Sequence, residues 1–261
     1  MKKPKRLRKE KLRKGIYILP NIFTSLNLFC GFYAVVAAID GNFVHSAWSI
    51  IIAAVFDGLD GKIARATNTT SKFGVEFDSL ADLISFGIAP GLMIYLWALK
   101  PLGRLGWLAG FMFMACGALR LARVNTQGGT VNSDHFVGLP IPAGACMNAL
   151  IILIFSKFSI GGDKYPVLIL ITLYMLSFLM VSVIKYDSFK KPELFTRMNF
   201  NVLVGFFLIL VFIASQPAVA LFLIGVLYVS SGPFTSIRLK LSRKDKKAEA
   251  RDLDENNVNH I

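Results

Sequence analysis

The feature that most constrains the fold is a series of long apolar segments, each separated from the next by a short polar one. A helix needs about 20 apolar residues to cross a bilayer, and most of these segments approach that length. Hydrophobic residues make up 54% of the chain and charged residues 17%, which excludes an ordinary soluble domain. The pattern predicts an all-α, polytopic transmembrane helical bundle. Eight spans are expected, at about 20–39, 46–67, 79–98, 103–123, 139–156, 165–185, 200–215 and 217–236.

The distribution of lysine and arginine predicts the orientation of this bundle. Basic residues concentrate on the cytoplasmic side of membrane proteins. Eight spans place both termini on one side, and that side then receives all of the 29 basic residues except Lys100, Arg104, Lys157 and Lys164. We therefore expect a multi-pass protein of the cell (inner) membrane with both termini in the cytoplasm. The net charge of +13 follows from this topology and from contact with anionic membrane lipids, so no nucleic-acid partner is expected.

Four aspartates lie at the ends of predicted spans, where acidic residues are rare. Asp57 and Asp60 close the second span, and Asp78 and Asp82 open the third. Carboxylates in such positions are costly and normally face the bundle interior or an aqueous cavity. Each pair is three or four residues apart and therefore lies on one helical face. Two antiparallel helices joined by a short loop would point all four carboxylates at one another, at the end of the bundle that is expected to face the cytoplasm.

Carboxylates at such close range repel one another, and divalent cations relieve that repulsion. All-oxygen sites suit hard ions, which indicates Mg²⁺ or Mn²⁺, with Ca²⁺ as a further candidate. Gly61 and Ala64 share the face of the first aspartate pair, and Gly74 shares the face of the second. These small residues leave room for a large substrate near the helix backbone, and Arg65 beside them suits a phosphate or pyrophosphate. Alternatively, the aspartates could cap helices or form ion pairs with Lys62, Arg65 and Lys72. Capping fits Asp78, but it does not explain four acids on two facing helices.

The pattern of these residues resembles the signature of the CDP-alcohol phosphotransferase (phosphatidyltransferase) family. In this chain it reads Asp57-x2-Asp60-Gly61-x2-Ala64-Arg65-x8-Gly74-x3-Asp78-x3-Asp82. The resemblance implies two divalent metal ions, the first held by Asp57, Asp60 and Asp78 and the second by Asp57, Asp78 and Asp82. It also implies that Gly61, Arg65 and Ser71 contact the CDP portion of a CDP-lipid, beside the small residues Ala64 and Gly74. Asp82 would accept the proton of the attacking hydroxyl, and the protein would form a homodimer.

The resemblance further implies a core of six helices with a polar cavity open to the cytoplasm. We therefore expect a catalytic bundle over residues 18–198 and a C-terminal transmembrane hairpin over 199–237. A basic arm at 1–17, interpreted as solvated and flexible, and a charged cytoplasmic tail at 238–261 would flank them.

Other segments bear on which alcohol accepts the phosphatidyl group. Thr24 and Asn27 lie three residues apart on one face of the first span, where a CDP-lipid could use them. The segments 85–90, 117–125 and 136–143 resemble the membrane-embedded phosphatidylserine synthases of bacteria and archaea. That resemblance implies CDP-diacylglycerol and L-serine as substrates, and Arg120 and Arg123 would bind the serine carboxylate.

Three alternatives to this interpretation stay open at the level of sequence. Glycerol 3-phosphate or inositol phosphate would also suit the two arginines. The first alternative is therefore a sister enzyme of the same family that uses one of these acceptors. The two arginines could instead only satisfy the positive-inside rule. A cation channel or transporter could use aspartates as a permeation site, but the acids cluster on one side with Arg65 among them, which disfavours a cation path.

Overall fold

The computed structural model describes residues 5–67, 71–127, 135–187 and 215–235, with the isolated residues 205 and 207. Within these ranges the protein is a helical bundle, as the sequence predicts. Five of the described helices are long and apolar enough to cross a membrane, which identifies a multi-pass membrane protein. The described helices are α1 (Lys5–Ile39), α2 (Phe43–Thr67), α3 (Lys72–Asp82), α4 (Ala89–Ile94), α5 (Arg104–Gln127), α6 (Ile141–Lys157), α7 (Pro166–Val181) and α8 (Pro217–Thr235).

Most helix boundaries lie within a few residues of the predicted spans. The first helix differs, because its backbone is helical from Lys5 and so includes much of the segment 1–17 that was expected to be a flexible arm. Lysine, arginine and leucine, which dominate that segment, are all good helix formers. The predicted seventh span, 200–215, lies almost entirely outside the described residues, and the tail 238–261 lies wholly outside them.

The third span also begins earlier than predicted, at Lys72, because Ser71 caps it. The Ser71 hydroxyl accepts a hydrogen bond from the backbone N–H of Gly74 at 3.0 Å, which satisfies one of the free donors of the first turn. Asp78 therefore lies inside α3, and the capping role considered for it from sequence is wrong. The carboxylate of Asp78 therefore does not cap this helix.

The third span is not a uniform α-helix. A π-helical segment, Leu83–Ile88, joins α3 to α4, and a second one, Tyr95–Leu99, follows α4. Pro90, in the first turn of α4, has no N–H and its ring crowds the carbonyl of the preceding turn, and the wider π turn relieves that crowding. Single π-helical turns inside helices often mark functional sites. Here the first π segment begins directly after Asp82.

Small residues and serine hydroxyls hold the helices together. α1 packs along α2, α2 packs on α6, and α5 packs on α7. Two serines of α2 donate hydrogen bonds to backbone carbonyls of α1, Ser46 to Ala34 at 2.7 Å and Ser49 to Cys30 at 2.8 Å. Such close contacts are typical of membrane helices. The buried alanines of the core are Ala34, Ala37, Ala38, Ala47, Ala53, Ala81, Ala89, Ala98, Ala109, Ala145, Ala149 and Ala220.

A small antiparallel strand pair accompanies the helices. His135–Val137 pairs with Lys185–Asp187, so the chain entering α6 lies beside the chain leaving α7. Gly138 follows the first strand with φ of +79°, a backbone conformation that favours glycine, and its N–H donates to the carbonyl of Ile184 at 2.8 Å. This strand pair was not predicted, since each strand has only three residues.

α8 packs against α6 on the bundle. A Cβ added to Gly225 would lie 3.3 Å from Sδ of Met147 and 3.5 Å from Cδ1 of Leu150, both on α6. At the N-terminal end of α8, the Lys157 ammonium donates a hydrogen bond to the side-chain carbonyl of Gln216. The helix is thereby anchored at its end and along its length.

Candidate active site

Three of the four predicted aspartates form one cluster. Asp57 and Asp60 project from α2 and Asp78 from α3, and each offers a carboxylate oxygen within 4.8 Å of the other two. Asp60 is only 4% exposed, and Asp57 and Asp78 are half-buried. The antiparallel arrangement of the two helices therefore brings these acids together, as their spacing along the chain predicts.

The cluster has the chemistry of a site for a hard cation. Three carboxylates at this range repel one another strongly in a partly buried setting. The Oδ1 atom of Asp78 is buried and has no hydrogen-bond partner, so one strong acceptor is left unsatisfied. Oxygen donors of this kind suit Mg²⁺, Mn²⁺ or Ca²⁺. The residues therefore fit a divalent metal ion.

Asp82 lies next to this cluster but is not one of its three members. It is 7% exposed, and its charge interacts with those of Asp57, Asp78 and Asp60. The Asn27 amide donates a hydrogen bond to Oδ1 of Asp82 at 2.9 Å. The fourth aspartate is thus held from α1, one helical turn beyond Asp78.

Thr24 and Asn27 contact aspartates, although the sequence suggested that they face a nucleotide. The Thr24 hydroxyl lies 2.9 Å from Oδ2 of Asp60, to which it donates. Both side chains are buried, with Thr24 3% and Asn27 0% exposed. α1 therefore supplies one hydrogen-bond donor to Asp60 on α2 and one to Asp82 at the end of α3.

A cavity of about 190 Å³ opens beside the cluster, between α1, α2 and α3. Asp60 and Asp78 form one part of its wall. Six of the seven residues predicted to bind a CDP-lipid also line it, and the exception is Asn27, which bonds to Asp82. The six are Thr24, Gly61, Ala64, Arg65, Ser71 and Gly74.

The small residues of the cavity keep space next to its polar groups. A Cβ added to Gly61 would lie 3.6 Å from the guanidinium nitrogens of Arg65, and one added to Gly74 would lie 3.1 Å from the Ser71 hydroxyl. Larger side chains at either glycine would fill the space in front of these donors.

Three cavity-lining residues were not assigned to the site from sequence. They are Pro20, Asn21 and Val75. Asn21 lies inside α1, and its side-chain oxygen is 3.6 Å from the position of a Gly74 Cβ. Its spacing of three residues from Thr24 was the available signal that both face one cavity.

The two arginines expected to bind the acceptor have different surroundings. Arg120, on α5, is 7% exposed, and its Nε atom is buried without a hydrogen-bond partner. Its charge interacts with Asp82 and Asp57, which places it at the aspartates. Arg123 instead donates from Nη1 to the backbone carbonyl of Val181 at 3.0 Å, so it ties α5 to the end of α7. The structure brings only Arg120 to the site.

The family model described as CDP-alcohol phosphatidyltransferase matches residues 17–184, which include the aspartate cluster, the cavity and Arg120. The chain belongs to this family. It is therefore a phosphotransferase enzyme.

Several relatives carry a more specific name. A Helicobacter pylori protein that is 40% identical over 208 residues, 80% of this chain and 87% of the relative, is a CDP-diacylglycerol–serine O-phosphatidyltransferase. The Bacillus subtilis protein of that name is 39% identical over 66% of this chain and 92% of its own length. The Methanocaldococcus jannaschii protein of that name is 34% identical over 59% of this chain and 76% of its own length.

Proposed function

We propose that this enzyme transfers the phosphatidyl group of CDP-diacylglycerol to L-serine and releases phosphatidylserine and CMP. The observation that carries the proposal is the arrangement of three parts in one place. A cavity lined by Arg65 and small residues meets the carboxylate cluster, and Arg120, whose buried Nε has no hydrogen-bond partner, interacts with Asp82. The name shared by the Helicobacter, Bacillus and Methanocaldococcus relatives supports serine as the acceptor.

In this proposal the cavity binds the CDP portion of the donor. Arg65 pairs with a phosphate, and the Ser71 hydroxyl can add a hydrogen bond to it. Gly61 and Gly74 let the nucleotide approach α2 and α3 closely, because neither carries a side chain in front of these donors.

The aspartates would hold two divalent cations, Mg²⁺ or Mn²⁺, with Ca²⁺ as a further candidate. Asp57, Asp60 and Asp78 would supply the first site, and Asp57, Asp78 and Asp82 the second. Ions bound there would neutralise the pyrophosphate and the departing CMP. Thr24 and Asn27 hold Asp60 and Asp82 in place by hydrogen bonds, which reduces the reorganisation needed for binding.

The acceptor side of the site would contain Arg120 and Asp82. Arg120 can bind the serine carboxylate through two parallel N–H···O hydrogen bonds. The serine hydroxyl then attacks the lipid-linked phosphorus, Asp82 takes the hydroxyl proton, and the bond from that phosphorus to the CMP oxygen breaks. Arg123 contributes indirectly, because its contact with Val181 holds α5 against α7.

The proposal includes the setting of the enzyme. The active site faces the cytoplasm in the cell (inner) membrane, both termini are cytoplasmic, and two copies form a homodimer. Cytoplasmic access is consistent with a water-soluble acceptor and with CMP as a water-soluble product. Chemical cross-linking in native membranes tests the dimer.

Release of CMP by the purified protein tests the function. CDP-diacylglycerol is supplied with Mn²⁺ or Mg²⁺, and serine, glycerol 3-phosphate and inositol phosphate are offered separately. We expect CMP release with serine and with no other acceptor, and we expect EDTA to abolish it. Release only with glycerol 3-phosphate or only with inositol phosphate would show that the enzyme is a member of the same family with that acceptor in place of serine. Ion flux into proteoliposomes without any lipid turnover would instead support the transporter alternative.

A further inference from the structure

α8 lies beyond the region matched by the family model, yet one of its faces points into the bundle. Gly225 contacts α6, and Val229, four residues later, is 9% exposed. Tyr228 follows Gly225 by three residues, so it lies on a neighbouring part of the same helical face, and it packs half-buried against the core. The opposite face is exposed, with Leu227 71% and Phe234 71% accessible. The inner face of α8 therefore has a defined contact with the catalytic bundle.

Tyr228 brings a polar group, its phenol hydroxyl, to that inner face. Its side chain lies close enough to the Arg120 guanidinium for the two groups to interact electrostatically. Arg120 interacts in the same way with Asp82 and Asp57. The phenol of α8 and the aspartates thus approach Arg120 together, and the buried Nε of Arg120 has no hydrogen-bond partner.

A guanidinium with a buried, unsatisfied N–H needs an acceptor, and a phenol beside it can donate as well. Arginine offers five donors and no acceptor, and a tyrosine hydroxyl offers one donor. An anionic group bound between them would accept from both. The carboxylate of serine has two oxygens suited to this arrangement. The neighbouring Asp82 would then be close to the serine hydroxyl.

We propose that Tyr228 is an acceptor-binding residue, and that α8 completes the acceptor side of the active site. This inference rests on the proposed function, because it takes serine as the acceptor. The phenol hydroxyl donates to the serine carboxylate that Arg120 holds. The C-terminal part of the chain is therefore needed for acceptor binding and not only for anchoring in the membrane.

The test compares Tyr228→Phe with the wild type in CMP release, varying serine and CDP-diacylglycerol separately. Removing one hydrogen bond to a charged group predicts a rise of about tenfold in the apparent KM for serine. The apparent KM for CDP-diacylglycerol and the thermal unfolding midpoint in detergent stay unchanged. Saturating serine is expected to raise the unfolding midpoint of the wild type, and to raise that of Tyr228→Phe by less.

Tyr95→Phe is the matched control. Tyr95 is also partly buried against the core, but it lies beside Gly110 of α5, away from the aspartates. The Tyr95→Phe variant also loses one phenol hydroxyl, and its KM for serine is expected to equal that of the wild type.

The outcomes separate this inference from the proposed function. An active wild type with an unchanged serine KM in Tyr228→Phe overturns the role of Tyr228 and leaves the function intact. An equal rise in both KM values also overturns it, because a general structural defect would act in that way. If the wild type uses only another anionic acceptor, the proposed function fails. The KM for that acceptor then decides the inference, because a rise in Tyr228→Phe supports it and no change overturns it.

Discussion

Asp82 has different surroundings from the other three aspartates of the site. It lies outside the three-carboxylate cluster, accepts a hydrogen bond from Asn27 and interacts with Asp57. Arg120 of α5 interacts with it electrostatically. A carboxylate that neighbours both the three-aspartate cluster and an arginine can meet both the donor phosphate and the acceptor. This position supports its proposed role as the general base.

Asp82→Asn is expected to lower the turnover number by about 10²–10⁴-fold, because the amide cannot accept the hydroxyl proton. Binding of the CDP-lipid is expected to be largely retained, since the cavity that holds Arg65 and the cluster of three aspartates is unaltered. CMP release measures the first effect, and retention of radiolabelled CDP-diacylglycerol by the purified protein measures the second.

Asp40→Asn is the control for Asp82→Asn, because Asp40 is an exposed acid in the turn between α1 and α2. It should behave as the wild type in both assays. Equal losses of binding and turnover in Asp82→Asn would contradict the role of general base and would indicate a mainly metal-binding role.

At the scale of elements, the contact between α1 and the first π segment positions the site. A Cβ added to Gly31 would lie 2.7 Å from Cα of Ser85, closer than side chains normally approach a backbone. Ser85 in turn donates a hydrogen bond to the backbone carbonyl of Asn27 at 3.0 Å. The absence of a side chain at Gly31 therefore allows the approach that also places Asn27 against Asp82.

Gly31→Ala is expected to destabilise the protein by about 1–3 kcal/mol, because the added methyl group forces α1 and the π segment apart. The thermal unfolding midpoint in detergent should fall. The turnover number should fall as well, since Asn27 would move away from Asp82.

Gly58→Ala is the matched control for this overpacking. A Cβ at Gly58 has no neighbouring atom within 4 Å, and alanine is the better helix former. Its midpoint should be unchanged or higher. A midpoint for Gly31→Ala equal to that of the wild type would show that the helices can adjust without strain.

At the scale of the whole molecule, the bundle has two chemically different ends. The end of α2 and the start of α3 carry the aspartates and the cavity. The opposite end carries the turn before Phe43 and the segment from Phe158 to Tyr165, with few basic residues. The positive-inside rule therefore predicts that the aspartate end faces the cytoplasm.

Cysteine labelling can test this orientation after the three native cysteines have been replaced by serine or alanine. Lys164→Cys should react with a membrane-impermeant maleimide in intact cells, because Lys164 is exposed at the end opposite to the aspartates. Lys72→Cys, exposed at the start of α3, should react only after permeabilisation. The reverse pattern would place the active site outside the cell and would exclude a cytoplasmic supply of serine.

Hydropathy and residue spacing were sufficient to predict the helical bundle and the aspartate cluster. Apolar length decides whether a segment can span a bilayer, independently of its neighbours. The spacing of Asp57 and Asp60, and of Asp78 and Asp82, defines a helical face before any helix has packed. Six cavity residues followed from the same reasoning and from the family pattern.

Only the tertiary structure decided which side chains meet across helices. Thr24 and Asn27 bond to aspartates, Arg120 and Arg123 have different partners, and Tyr228 approaches from a distant part of the chain. Each of these contacts depends on the rotation and height of one helix against another. Apolar segments specify that helices span the membrane but not how they face one another, because lipid and protein interiors are similarly apolar. Local close contacts, such as Gly31 against Ser85, set those rotations and appear only when the helices are packed.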